Sequence, residues 1–286
     1  MPNNLRIILE VNHLHHATPA TVSRCGMVWF SPDTVSVDMY LQHFLLSLKK
    51  RSFGINNVVT GDINPSTVQD TFLDAIEPMF ISNDDSDGFN TSIVSDALEF
   101  SLSQSHVMPP IRERLFETLK SFLIRGIQII IEYNETHFDI PMSSEHLQNF
   151  SRRWVLYSLL WSFASSSSWD VRKELSCRLR DAGCNDNLCR SDMNLCDYRV
   201  RVVDGEWEPY ANYVPRIDLE SHKVTASDVV ITTTDTLRHS DILDIWFSSR
   251  SPVILCGPPG SGKTMTLISV LKNMQGVALA NLNFSR

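Results

Sequence analysis

Residues 252–264 read PVILCGPPGSGKT, and the fold turns on how this stretch is understood. The apolar run at 252–256 has the composition of a buried strand. Gly257, Pro258, Pro259, Gly260, Ser261, Gly262, Lys263 and Thr264 then satisfy G-x-x-x-x-G-K-[ST]. Residues 262–274 follow helical spacing, and 277–283 form a second apolar run. Strand, glycine loop and helix, in that order, are the setting this motif requires. Each residue type suits phosphate. Glycines permit turns that aim backbone N–H groups inward, and a helix starting at the loop adds the positive end of its dipole. Lys263 brings a point charge to the outer phosphates, and the Thr264 hydroxyl is a magnesium ligand. The expected cofactor is ATP or ADP with magnesium.

Beyond Thr264 the sequence has 22 residues (286 − 264). Hydrolysis at a P-loop also needs a later acidic residue to hold magnesium and a group that orients the attacking water. One helix and one strand leave no place for either. The best acidic run upstream, Asp84-Asp85-Ser86-Asp87, follows a helical pattern and does not end a buried strand. The expectation is the front of a nucleotide site without its catalytic half.

Working back from the loop, residues 236–247 predict a helix with Leu237, Ile242, Ile245 and Trp246 on its apolar side. Residues 198–213 predict a β-hairpin, with Asp204-Gly205 supplying the positive φ angles of a type I′ turn. From 37 to 182 helical patterns dominate, at about 37–50, 68–80, 93–102, 111–131, 145–163 and 171–179. The clearest follows Pro109-Pro110, with apolar residues at helical spacing from Ile111 to Ile131. Trp154, Tyr157 and Trp161 at helical spacing read as core. Two short apolar runs, 5–11 and 26–30, open the chain as buried-strand candidates with no partners of their own. The fold class is therefore α/β with a large all-α part.

Composition is that of a globular protein, with 43% apolar and 20% charged residues in 286. Lys+Arg 25 against Asp+Glu 33 gives a charge of −8, which argues against a phosphate-tracking nucleic-acid binder. The longest strongly apolar stretch, residues 154–164, is too short to span a bilayer, so no membrane partner is expected. No signal peptide is visible and six cysteines make no disulfide scaffold, so the expected address is the cytoplasm.

Residues 16–30 (HATPATVSRCGMVWF) resemble the segment that closes the large subdomain of the second AAA+ module in dynein heavy chains. Residues 215–285 resemble the entry into the third module, most closely at 253–266 and 281–285. Between them, 153–162 (RWVLYSLLWS) and 205–207 (GEW) are similar to that family's helical connection and hairpin. The resemblance is nearest to cytoplasmic dyneins and weakest at 52–110.

The resemblance implies partial AAA+ P-loop modules joined by a helical subdomain and a β-hairpin. Residues 1–36 would end one large subdomain, 37–182 form the helical small subdomain, 183–215 connect, and 216–286 begin the next large subdomain. Arg24, matching the SRCG arginine, would be the arginine finger offered to a neighbouring module's ATP. Lys263 and Thr264 would belong to a regulatory module, and Val230 and Ile231 would line its adenine pocket. Asn12 falls near a phosphate-sensing position. The implied partners are neighbouring modules of the same heavy chain and, for the parent, microtubules and dynein intermediate and light chains. The implied activity is ATP-driven, minus-end-directed movement on the cytoskeleton.

Two other classes fit the residues alone: a self-contained small P-loop NTPase, and a non-catalytic helical interaction module built on 37–182. Cys177, Cys184, Cys189 and Cys196 lack a C-x₂-C knuckle and read as reduced thiols before zinc ligands. His13, His15 and His16 read as a polar loop before a metal site. Residues 83–94 imitate a calcium loop but place Val94 where a bidentate Glu is needed. Asn134-Glu135-Thr136 matches a glycosylation acceptor that means little without secretion.

Overall fold

The computed structural model describes residues 6–11, 13–31, 34–53, 65–81, 92–215, 232–274, 276–280 and 282. Nine α-helices and one two-stranded ladder are formed among them. They run α1 (Pro19–Val22), α2 (Val37–Lys49), α3 (Pro65–Phe80), α4 (Ile93–Ser103), α5 (Arg112–Thr136), α6 (Ser144–Phe163) and α7 (Trp169–Asn185). The hairpin strands β1 (Tyr198–Val200) and β2 (Trp207–Pro209) follow, then α8 (Thr234–Ser248) and α9 (Lys263–Asn273).

The helix starts are written in the sequence. Ser36, Ser92, Ser143, Ser168 and Thr233 are N-caps whose hydroxyls accept the backbone N–H three residues on. Helix ends were harder to see. α7 continues past the last apolar repeat at Leu179 because Asn187, at φ 57°, closes a C-terminal motif in which Leu188 N–H reaches Gly183 O at 2.8 Å.

α5 and α6 form the central pair. Gly126 lets them approach: a Cβ there would sit 2.4 Å from Trp154 Nε1, which instead donates to Phe122 O at 2.8 Å. Around this contact α6 is buried almost all round, including Phe150, Trp154, Tyr157 and Trp161. α2 and α3 close one side through Phe44, Phe72 and Phe80, and α4 and α7 pack together along another.

Buried Arg153 ties the hairpin to α6. Its Nε donates to Leu188 O (3.1 Å), Nη1 to Gly205 O (3.0 Å), and Nη2 pairs with Glu206 (3.1 Å). The hairpin itself departs from the type I′ expectation. Its strands register Tyr198 on Pro209 and Val200 on Trp207. Arg201 and Glu206 close a four-residue loop in which Gly205 (φ 70°), and not Asp204, takes positive φ. Asp204 is held instead by the Arg201 guanidinium and by Glu206 N–H.

The runs expected as buried strands at 5–11, 26–30, 252–256 and 277–283 join no ladder among the described residues. Their apolar side chains face outward, with Ile8 93%, Val28 78% and Ile254 81% exposed. An apolar run makes a buried strand only when neighbours accept its N–H and C=O groups and cover both faces. No described segment does this for them.

Candidate nucleotide site

The phosphate loop keeps the shape its glycines allow. Gly260 (φ 78°) and Gly262 (φ 77°) both occupy the left-handed region, where a Cβ is strained. Gly262 is the N-cap of α9, and no side chain caps that end, so the first-turn N–H groups are left to a ligand. Thr266 N–H returns to Gly262 O at 2.9 Å and starts the helix ladder. Lys263 folds over the loop: its Nζ donates to Pro258 O (2.7 Å), Gly257 O (3.0 Å) and Ser261 Oγ (3.1 Å). Thr264 is exposed in the first turn, where its hydroxyl can reach a bound cation. Left-handed glycines, an uncapped helix start and an ammonium over the loop suit a polyphosphate. The loop brings together 257–264. Val230 and Ile231 lie outside the described residues, as does Asn12.

Arg24 is exposed on the turn that leaves α1, with its N–H bonded to Thr21 O at 3.3 Å. Among the described residues its guanidinium makes no hydrogen bond or ion pair. His13 and His15 are ring neighbours at 4.6 Å, and no group of three metal-binding side chains forms among the described residues.

α9 packs against α8, and what holds α8 in turn was not legible in the sequence. Arg238 is 3% exposed at the interface between α8 and the helical subdomain. Its Nε donates to Cys196 O at 2.7 Å, Nη2 pairs with Asp197 (2.9 Å) and Nη1 with Asp235 (2.5 Å). Trp169, Trp161 and Tyr210 surround its guanidinium at 4.9, 5.9 and 6.0 Å. One turn on, Asp241 accepts from the Tyr210 hydroxyl (3.1 Å) and faces Arg199 (3.4 Å). Burial raises the Asp241 carboxyl above the usual range, with Arg199 and Tyr210 opposing it. Tyr157 and Tyr210, hydroxyls 3.2 Å apart, are both pushed upward, chiefly by burial. A periodicity reading counts charged residues as solvent-facing, so it gives no sign of this cage; of its rings only Trp161 is read, and as core.

A groove of about 1030 Å³ lies between α5, α8 and α9. Glu132, Glu135, Asp241 and Asp244 line it against Arg125, so its field repels phosphate. The nucleotide reading stays with the loop at the other end of α9.

A helical lid leading through a docked helix into a phosphate loop defines part of an AAA+ P-loop protein. The family described as "Dynein heavy chain AAA lid domain" matches residues 86–212, and "P-loop containing dynein motor region" matches 219–286. All of the chain aligns with curated cytoplasmic dynein heavy chains: 36% identity over 291 residues with that of Neurospora crassa, 36% over 297 with Drosophila melanogaster, and 35% over 301 with Caenorhabditis elegans. The chain belongs to the dynein heavy chain family. It spans 6% of the length of those three relatives.

Proposed function

We propose that this chain is the junction between two successive AAA+ modules of a dynein motor ring, binding ATP or ADP with magnesium at residues 257–264. The observation that carries the reading is Lys263: its ammonium already lies over the glycine loop at the uncapped start of α9. Backbone N–H groups of 260–264 would hold the β-phosphate, and Thr264 would ligate magnesium, which screens charge on the outer phosphates. Val230 and Ile231 would cover the adenine.

Residues 1–36 would close the preceding large subdomain, 37–182 form its lid, 183–215 connect, and 216–286 open the next. Exposed Arg24 would reach across to the ATP of another module, where a fixed guanidinium stabilises charge on the transferring phosphoryl group. The phosphate loop would then act as a regulatory site, its occupancy biasing how the neighbouring modules pack. Movement along microtubules toward the minus end, assembly with intermediate and light chains, and a place on the cytoplasmic cytoskeleton belong to the parent motor.

The test is a titration with a fluorescent ADP analogue and magnesium. A heavy chain carrying this segment binds at the site and loses that binding with Lys263→Ala, while the 286-residue chain binds weakly and does not turn over ATP. Brisk turnover by the chain alone, abolished by Lys263→Ala, would identify a self-contained NTPase and overturn the reading.

A further inference from the structure

We propose that Arg238 is a positioning residue for the phosphate loop: by locking α8 to the lid, it fixes α9, and with it residues 257–264, in place. The proposal rests on reading that loop as the nucleotide site. It concerns what holds the loop, not what the loop binds.

α8 has two occupied faces. Toward the lid, Arg238, Ile242, Ile245 and Trp246 meet the main core, and the Trp246 ring stands edge-on to Phe122 of α5 at 6.5 Å. Toward the loop, α8 packs on α9, where Leu243 of α8 and Thr266 and Val270 of α9 are buried. The apolar contacts of the first face could be made in several rotations and slides of a helix. The guanidinium permits one. Its fork must satisfy the Cys196 carbonyl and Asp197 together, between the Trp169, Trp161 and Tyr210 rings, while Asp235, three residues back on α8 itself, holds the side chain in that extended reach. A buried charge that loses such partners is costly, so α8 is held in one register on the lid. The phosphate loop makes few contacts of its own: 257–262 are all exposed, and α9 buries only two residues. The loop's position is therefore inherited from α8.

Hydrogen exchange read by mass spectrometry on the 286-residue chain tests this without nucleotide. In Arg238→Met the amides of α8 and α9 exchange at least about tenfold faster while α5 and α6 keep their protection. Arg238→Lys, which keeps the charge but not the fork, falls between. Faster exchange in α8 with α9 unchanged would overturn the proposal, and so would equal loss of protection in α5 and α6. Should Arg238→Met not fold, Asp197→Asn decides. It removes the charge of a half-exposed partner and leaves only a neutral amide oxygen for the guanidinium; a rise in α8 and α9 supports the proposal and no rise there overturns it. A second readout is the affinity of a heavy chain carrying these variants for magnesium and a fluorescent ADP analogue. Arg238→Met weakens it severalfold and Arg238→Lys restores part of the loss. Unchanged affinity in Arg238→Met, where Lys263→Ala abolishes binding, counts against the proposal. If Lys263→Ala leaves binding intact, the nucleotide reading fails and exchange alone decides the role of Arg238.

Discussion

The Tyr210 hydroxyl donates to Asp241 Oδ2 at 3.1 Å inside the α8–lid interface, and the same oxygen faces Arg199 Nη1 at 3.4 Å. Burial nevertheless wins, and the Asp241 carboxyl is raised above its ordinary value of 3.8; the charge of Asp244 adds to the rise. The folded state thus holds this proton more tightly than the unfolded chain does. Stability of the wild type relative to Asp241→Asn, which cannot titrate, falls as pH climbs from about 3.8 through the raised folded value, then levels off. Urea midpoints of both proteins between pH 4 and pH 8 measure this. A difference that grows in favour of wild type over that range contradicts the assignment.

Gly126→Ala drives a methyl group into the Trp154 indole and displaces its bond to Phe122 O. Overpacking and the lost hydrogen bond together cost about 2–4 kcal/mol, more than the roughly 1 kcal/mol that Ala gains over Gly in a helix. Denaturant unfolding followed by tryptophan fluorescence reads the loss. A neutral or stabilising outcome would mean that α5 and α6 can part without cost.

Lys263→Ala removes three hydrogen bonds from an exposed loop and touches no core residue. Thermal stability should move by no more than about 0.5 kcal/mol, while nucleotide binding in the heavy chain falls at least about tenfold. Calorimetry and titration on the same preparations separate the two effects.

Arg24→Ala is equally silent on stability, because the side chain is exposed and makes no described bond. In the motor it should lower turnover at a neighbouring ATP site by about 10³-fold and leave binding at 257–264 unchanged. Steady-state ATPase rates with and without the substitution check this.

Burial pushes the Cys189 and Cys196 thiols from 9.0 up to about 11. Their thiolate fraction near pH 8 is about a hundredfold below that of a thiol at 9.0. Peptide mapping after brief iodoacetamide treatment should find label on exposed Cys25, Cys177 and Cys256 well before Cys189 or Cys196.

The helices were legible because their main signal, apolar residues at a 3.6 period, is local; the serine and threonine caps are equally local but were not needed to place them. The shape of the glycine loop was legible for the same reason, since the residues that set it lie within eight consecutive positions, 257–264. What could not be read is set by distant partners. Arg238 and Asp241 look like surface charges of an amphipathic helix until Cys196, Asp197, Arg199 and Tyr210 fold against them. Asp204 departs from the expected turn because Arg201 and Glu206 close the loop two residues wider. The runs at 5–11, 26–30 and 252–256 have strand composition, but a ladder depends on neighbouring strands and not on the run alone.

The Lys263 ammonium lies against two carbonyls and a hydroxyl of its own loop. An incoming anion must peel the amine away from these internal rivals before it can claim the charge. Entry is then an exchange of partners and not a simple capture: the arrival rate should saturate at high ligand concentration, at a ceiling set by how often the side chain swings free.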